Sequence, residues 1–327
     1  MAILITGGLG LIGSTLCRRL TSQEDDIVVV DNLWRGKLSN LLADGETWAD
    51  LGIRFFQYDL QDYKKCLEVT KNVTTVIHLA DIVAGINFVF ANEYFVYRSN
   101  TLINSNVLNA AIANGVSEYL YVGTACSYPQ HKQSELGGPP LKEEDAYPAD
   151  PESSYGWSKL IGEYECLLAE KQGHINASVL RLHNVYGPPC EMSPEKSQVI
   201  PALCRKALMY PSEDFVVWGS GSQRRAFVFV DDAVDAIESA LVSGMSRGVI
   251  QIGPEKSHSI ADIAKRIVSI SRKPITIRFD PSQPEGDKDR VADSSKAKIL
   301  LGWRPKTTLT EGLTRTYRWA EEHINDA

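Results

Sequence analysis

Short runs of strand-forming residues alternate with amphipathic segments along the first part of the chain. The runs are ILIT, DIVVVD, IRFFQYDL, TTVIHLA, EYLYVGT and ASVLRLHNVYG. This alternation is typical of a parallel sheet whose strands are joined by crossover helices. Because the runs are apolar almost throughout, helices are expected to cover both faces of the sheet. The sequence therefore predicts an α/β fold built on a doubly wound parallel sheet.

The rhythm changes after about residue 185, where proline-bearing loops such as YGPPCEMSPEKSQVIP begin. It returns at AFVFVDDAVDAIESAL and then gives way to a mixed C-terminal region. We therefore predict two unequal domains assembled from discontinuous pieces. The sheet domain takes residues 1–184 with about 225–245, and a smaller mixed α/β domain takes 185–224 and 246–327.

Composition excludes several classes of protein. The net charge of −7 over 327 residues argues against a nucleic-acid surface. No apolar run has the length of a membrane span, and the MAILITGG start enters a strand pattern at once, so we expect no membrane association and a cytoplasmic location. Six cysteines without a Cys-x-x-Cys pair, and histidines without ligand spacing, predict neither a disulfide framework nor a metal site.

A glycine-rich turn follows the first strand, in the order AILIT then GGLGLIG. Such glycines allow pyrophosphate to approach the bare amides of a helix N-terminus, although a glycine turn without ligand is the alternative. Asp31 follows the second strand at about the 20-residue offset of a ribose-binding carboxylate, which favours NAD over NADP. Asp59 could reach the adenine edge or be a surface charge. The predicted NAD contacts are Gly7, Gly10, Leu11, Ile12, Gly13, Asp31, Asn32, Asp59, Leu60, Leu79, Ala80, Tyr155 and Lys159.

A second motif is Tyr155-x-x-x-Lys159 in SSYGWSKLIGEYECLLAEKQG. Ser153 or Ser154 can cap this predicted helix and Gly173 can end it, with Leu160, Ile161, Tyr164, Leu167 and Leu168 as its apolar face. The tyrosine and the lysine then lie one turn apart on the same side. An ammonium beside a phenol lowers the phenol pKa, so that the pair can take a proton from a carbinol near neutral pH.

Six segments occur in an order and spacing that resemble one family over essentially the whole chain. They are TGGLGLIG, HLAD, GTACSYP, SSYGWSK, RLHNVYGP and RRAFVFVDD. The family is the extended short-chain dehydrogenases/reductases that act as NAD-dependent nucleotide-sugar epimerases and dehydratases. The resemblance implies a Rossmann N-terminal domain, a C-terminal domain for a nucleotide-sugar substrate, NAD as cofactor, and a homodimer formed through a helical bundle that includes the Tyr155 helix.

The resemblance also implies roles for individual residues. Thr124, Tyr155 and Lys159 match the family's oxidising triad. Cys126 matches the place where dehydratases carry a glutamate that removes the C5 proton, and a thiolate can do the same work. Lys196 then becomes the candidate acid, with Ser197 and Gln198 as alternatives. The substrate residues implied are Gly85, Thr124, Ala125, Cys126, Asn184, Lys196, Arg225 and Arg290, the last two for the diphosphate.

The resemblance implies epimerisation of a GDP-hexose at C3 and C5 through a 4-keto intermediate. A UDP-sugar 4-epimerase, with Cys126 as an inert packing thiol, is one alternative. A 4,6-dehydratase is disfavoured because the acid pair that follows the threonine in dehydratases is missing. A silent NAD-binding sensor is the non-enzymatic alternative, against which the retained Tyr155 and Lys159 argue. The Val83-Ala84-Gly85 segment departs from the glycine-rich loop of the epimerase branch, so the identity of the hexose stays open.

Overall fold

A computed structural model describes residues 2–21 and 26–324 of the chain. The strands are β1 (Ala2–Thr6), β2 (Asp26–Val30), β3 (Ile53–Phe56), β4 (Thr75–His78), β5 (Glu118–Thr124), β6 (Asn176–Leu182), β7 (Asn184–Tyr186), β8 (Val216–Trp218), β9 (Arg224–Arg225), β10 (Phe227–Phe229), β11 (Val249–Ile252), β12 (His258–Ser259), β13 (Arg278–Asp280) and β14 (Asp289–Arg290). The helices are α1 (Leu11–Thr21), α2 (Tyr63–Val69), α3 (Ile86–Ala91), α4 (Glu93–Ala113), α5 (Ser154–Lys171), α6 (Val199–Met209), α7 (Val230–Ser243), α8 (Ile260–Ser271), α9 (Ser295–Leu301) and α10 (Leu309–His323).

The largest sheet has seven parallel strands in the order β11-β6-β5-β4-β1-β2-β3. The strand order reverses between β1 and β4, and a crevice opens at such a switch point beyond the carboxyl ends of the strands. The predicted doubly wound α/β fold is confirmed. Strand β11 extends this sheet beyond residue 246, where the sequence analysis divided the domains, because its apolar VIQI run pairs with β6.

Alternate residues of the central strands face two separate apolar clusters. Ile5 and Val29 belong to a cluster that α1 and α7 complete. Leu4 and Val28 belong to a cluster that α2, α4 and α5 complete. All four side chains are at most 1% exposed, as expected for a sheet covered by helices on both faces.

Helix α5 begins and ends where the sequence predicts. The Ser153 hydroxyl accepts a hydrogen bond from Gly156 N at 3.2 Å, and Gly173 follows the helix with a φ of +75°. The predicted apolar face is only partly in the core, because Leu160 is buried whereas Tyr164 and Leu168 are exposed. Small side chains further along the same helix pack against the sheet instead.

The remaining strands form three small sheets, β10 with β7, β12-β9-β14, and β13 with β8. Helices α6, α8 and α10 pack on one another around a third apolar cluster, which includes Leu203, Ile263 and Leu313. This smaller unit lies beside the carboxyl edge of the large sheet, where β9 and β14 carry two arginines toward the crevice. Within the described residues, no helix is both long and apolar enough to cross a membrane.

Candidate active site

A cavity of about 750 Å³ opens at the carboxyl ends of the large sheet's strands and reaches the smaller unit. It is lined by the predicted site residues Gly7, Gly10, Leu11, Ile12, Gly13, Asp31, Asn32, Asp59, Leu60, Leu79, Ala80, Gly85, Thr124, Ala125, Cys126, Tyr155, Lys159, Asn184, Arg225 and Arg290. The volume is in the range of small-molecule and cofactor sites. Residues from both predicted domains therefore meet at one site.

The glycine turn is closely packed, which explains its residue type. Gly7 has a φ of +66°, and a Cβ there would lie 2.9 Å from Ala80 Cα. A Cβ on Gly13 would lie 2.3 Å from Gly7 O, so α1 could not start against the turn. Gly10 would meet only Gly7 O, at 3.4 Å, and it faces the cavity. The turn leaves the first amides of α1 beside the cavity, where they suit a pyrophosphate.

Asp31 lies at the end of β2 with its carboxylate fixed by backbone amides. Its Oδ2 accepts a hydrogen bond from Leu9 N at 3.0 Å, and its Oδ1 accepts one from Leu33 N at 2.8 Å. Burial raises the pKa of Asp31, and these two hydrogen bonds oppose that rise. The glycine turn and the fixed Asp31 carboxylate together fit an NAD molecule, whose adenosine ribose would lie against that carboxylate.

Tyr155 and Lys159 lie on one side of α5, as predicted, and both line the cavity. Lys159 is 2% exposed, and its Nζ lies 4.8 Å from the centre of the Tyr121 ring. Burial lowers the pKa of Lys159. Burial also raises the pKa of Tyr155 well above its usual value, and the neighbouring Asp81 carboxylate raises it further.

Asp81 is a site residue that the sequence analysis missed. Its Oδ2 accepts a hydrogen bond from Tyr155 Oη at 3.0 Å and lies 3.5 Å from Lys159 Nζ. Arg35, also missed, lines the same region and donates from Nη1 to Val83 O at 3.2 Å. Burial lowers the pKa of Arg35, and Asp81 opposes that change. The final residue of the HLAD run was the available signal for Asp81.

Cys126 follows Thr124 in a short 3₁₀ turn at the end of β5. Its backbone N donates to Thr124 Oγ1 at 3.2 Å, which fixes the turn. Its Sγ accepts a hydrogen bond from Arg290 Nη1 at 3.1 Å. Arg290 therefore places a guanidinium donor directly beside a thiol that faces the cavity.

The arginines around Cys126 are fixed by their own partners. Arg290 is 5% exposed and also donates to Asp287 and to Gln133. Arg225 donates from Nη1 to Asp287 O at 2.7 Å. Burial, with Arg290 close by, lowers the pKa of Arg225 to about 10. This end of the cavity therefore holds two cations on neighbouring strands, β9 and β14.

A pair of carboxyl groups beside these arginines was also missed. Glu152 lines the cavity, and its Oε2 accepts a hydrogen bond from Asp287 N at 3.2 Å. Asp287 is 4% exposed, and its Oδ1 has no hydrogen-bond partner among the described residues. Burial and the neighbouring Asp287 raise the pKa of Glu152. The protonated form of the Glu152 carboxyl is therefore favoured relative to a glutamate in water.

Lys196 is the predicted site residue that does not line the cavity. Its Nζ donates to Trp34 O at 2.6 Å and lies 4.8 Å from the centre of the Trp34 ring. Ser197 and Gln198, the predicted alternatives, do line the cavity. Gly85 is packed against this segment, since a Cβ there would lie 2.8 Å from Ser197 O. The role of Lys196 as a substrate contact stays a prediction, and in this structure Trp34 O binds its ammonium.

Comparisons with known proteins agree with this site. A model of the NAD dependent epimerase/dehydratase family matches residues 3–253. The chain is 34% identical over 324 residues to GDP-mannose 3,5-epimerase of Arabidopsis thaliana, covering 99% of this chain and 83% of that protein. It is 31% identical over 329 residues to UDP-glucuronic acid decarboxylase 1 of Danio rerio, covering 98% of this chain and 73% of that protein.

Among solved structures, UDP-glucose 4-epimerase of Thermotoga maritima, determined with UDP-glucose, resembles this fold with a TM-score of 0.87. The two sequences are 27% identical, and the match covers 99% of this chain and all of that one. The resemblance inferred from the sequence is confirmed, and NAD is the family's cofactor. The family match and the identities above 30% over nearly the whole chain show that this protein belongs to the NAD-dependent epimerase/dehydratase family.

Proposed function

We propose that this enzyme is a nucleotide-sugar epimerase that inverts ring carbons of a GDP-hexose at C3 and C5, as the name GDP-mannose 3,5-epimerase describes for its Arabidopsis relative. One observation carries the proposal. Cys126 presents its thiol to the cavity next to Thr124 while an arginine donates a hydrogen bond to Sγ. A 4-epimerase needs no base at this position, whereas proton removal from a ring carbon does.

The first step belongs to Tyr155, Lys159 and Thr124. Tyr155 removes the proton of the substrate's C4 hydroxyl, Lys159 stabilises the phenolate, and Thr124 Oγ1 holds the same hydroxyl. NAD, which the glycine turn and Asp31 would hold, would supply the hydride chemistry at C4. The ketone left at C4 makes the protons at C3 and C5 acidic.

The second step belongs to Cys126. Its thiolate removes a proton from the ring carbon beside the ketone, and Arg290 Nη1 lies 3.1 Å from Sγ. The sequence predicts that Lys196 returns the proton. In this structure its ammonium donates a hydrogen bond to Trp34 O. Lys196 can serve only if its segment moves, and Ser197 and Gln198 are the alternatives that already line the cavity. Asn184, Gly85 and Ala125 complete the proposed sugar contacts.

Cationic side chains support a diphosphate-bearing substrate. Arg225 and Arg290 lie on adjacent strands and both line the cavity. A nucleoside diphosphate carries two negative charges that such guanidinium groups can bind. No residue pattern distinguishes a purine from a pyrimidine here, so GDP follows from the resemblance alone.

We also propose that the protein forms a homodimer through α4 and α5, which pack side by side. Tyr94 is 78% exposed and Tyr164 is 59% exposed, and Phe95, Trp157 and Leu168 are exposed on the same two helices. Exposed aromatic residues in this number are typical of a protein interface. Sedimentation of the wild type and of Tyr164→Glu should give a dimer and a monomer, respectively.

Substitution of Cys126 tests the proposed function. Thermal shift and turnover with GDP-, UDP-, CDP- and dTDP-hexoses in the presence of NAD first identify the substrate. With that substrate, Cys126→Ala and Cys126→Ser should keep hydride transfer and lose inversion by about a hundredfold or more. Unchanged inversion in both variants would mean that Cys126 has only a packing role. It would support the 4-epimerase alternative, for which the similarity to the Thermotoga enzyme also speaks.

A further inference from the structure

Asp81 lies at the centre of the acid–base pair without a part in the proposed chemistry. It follows β4, and its carboxylate reaches across to α5, where Oδ2 accepts from Tyr155 Oη at 3.0 Å. The same oxygen lies 3.5 Å from Lys159 Nζ. The Asp81 side chain is 14% exposed and lines the cavity, so a bound substrate hydroxyl can compete for the Tyr155 hydroxyl.

The titratable groups around Tyr155 come from several elements. Lys159 lies one turn along α5, Tyr121 and Cys126 come from β5 and the turn after it, and Arg35 comes from the segment after β2. His78 on β4 lies near Lys159, and burial lowers its pKa to about 3, so it is neutral at ordinary pH. Asp81 is therefore the anion in direct contact with the pair.

A carboxylate in this place acts against the lysine. The Lys159 ammonium stabilises a phenolate on Tyr155, whereas the Asp81 carboxylate repels it and accepts a hydrogen bond only from the neutral phenol. Because Asp81 contacts both groups, it offsets part of the effect of Lys159. The Asp81 carboxylate thus opposes the ionisation of Tyr155 that Lys159 promotes.

We propose that Asp81 is a positioning residue that keeps the Tyr155 hydroxyl protonated and oriented in the free enzyme and thereby sets the pH at which the oxidation step begins. Substrate binding competes with Asp81 for the tyrosine hydroxyl. The consequence for turnover rests on the proposed function, in which Tyr155 removes a proton from the C4 hydroxyl. The consequence for the free protein does not, because it concerns only the ionisation of Tyr155.

The main test is an ultraviolet absorbance titration of tyrosinate in the protein without cofactor or substrate. Subtracting the titration of Tyr155→Phe isolates the Tyr155 transition. Asp81→Asn keeps the size and an oxygen acceptor but removes the charge, and it should move that transition to lower pH by about one unit or more. Asp81→Glu, which restores the charge, should move it back toward the wild type.

A matched control is Asp26→Asn, which removes an exposed carboxylate at the opposite end of the sheet. It should leave the Tyr155 transition where it is in the wild type. Unchanged transitions in both Asp81→Asn and Asp81→Ser would overturn the proposal, provided that their circular dichroism is native. The Ser variant keeps the test decisive if the Asn variant fails to fold.

The same shift should appear in turnover. The acid limb of the kcat/KM profile should move to lower pH in Asp81→Asn, in the direction of the tyrosinate titration. If no nucleotide sugar is converted, the proposed function fails and the titration still decides the role of Asp81. If turnover occurs and neither profile moves, the role of Asp81 fails and the proposed function stands.

Discussion

The two ends of the cavity are built in different ways. The NAD end is formed by the backbone of consecutive residues in the β1–α1 turn and by Asp31, whose carboxylate is fixed by two backbone amides. The substrate end brings Cys126, Glu152, Arg225 and Arg290 together from separate elements, and its groups are charged or ionisable side chains. A backbone cradle accepts few substitutions, whereas a side-chain cluster can change residue by residue. We therefore expect members of the family to share the cofactor and to differ in the reaction that they carry out on the sugar.

The largest expected effect falls where the two ends meet. Tyr155→Phe should lower turnover by about 10²- to 10⁴-fold, because the ketone on which every later step depends no longer forms. Product formation under saturating substrate measures the loss. The melting temperature should stay close to that of the wild type, which separates lost chemistry from lost folding. Substantial remaining activity would mean that another group removes the C4 hydroxyl proton.

A methyl group added at the NAD end should weaken NAD binding by displacing the backbone of the glycine turn. Gly13→Ala puts a Cβ within 2.3 Å of Gly7 O, so the turn must shift. Overpacking of about 1–3 kcal/mol in the NAD-bound turn corresponds to NAD binding that is about 5- to 150-fold weaker. Isothermal titration measures it. Gly138→Ala is the control, since its Cβ would meet only Glu135 O, at 3.7 Å, and NAD binding should be unchanged.

Removing one charge at the NAD end should change the choice of cofactor. Wild-type protein should prefer NAD to NADP because Asp31 repels the extra phosphate at close range. Asp31→Asn should narrow the preference by about tenfold, since one charge–charge contact is lost. Titrations with both cofactors give the ratio, with Asp26→Asn on the same strand as the comparison. Equal affinity of the unaltered protein for NAD and NADP would remove the role given to Asp31.

The smallest expected effect concerns stability at the substrate end. Burial and Asp287 raise the pKa of Glu152 in the folded protein, so the folded state binds more protons than the unfolded state at pH values between the two pKa values. Its contribution to the free energy of unfolding therefore falls as pH rises above the ordinary glutamate pKa of about 4.3. Glu152→Gln lacks this pH-dependent loss. In urea unfolding at several pH values, the free energy of unfolding of the variant should therefore rise relative to that of the wild type as pH rises. A constant difference between the two proteins would contradict the raised pKa.

The contrast between the two ends also explains which parts of the site could be predicted from the sequence. The glycine turn and the Tyr155-x-x-x-Lys159 pair are local patterns, and the structure places both around one cavity. Asp81 and Glu152 were missed because their importance comes from contacts with residues 74 and 135 positions away, respectively, which no local spacing encodes. The contact of Lys196 with Trp34 was missed for the same reason, since the two residues lie 162 positions apart. Strand β11 joined the large sheet through pairing with β6, a contact equally invisible in a linear pattern.

Turnover in deuterated water tests the central claim most directly, namely that Cys126 exchanges a proton at a ring carbon next to the C4 ketone. With the nucleotide sugar identified by the substrate screen, the account predicts deuterium at C3 or C5 of the product by NMR, because the returned proton comes from groups that equilibrate with solvent. Cys126→Ala should lose this label. Conversion of the hexose with no deuterium on any ring carbon would contradict the account and assign the protein to C4 epimerisation, in which the hydride leaves and returns without meeting water.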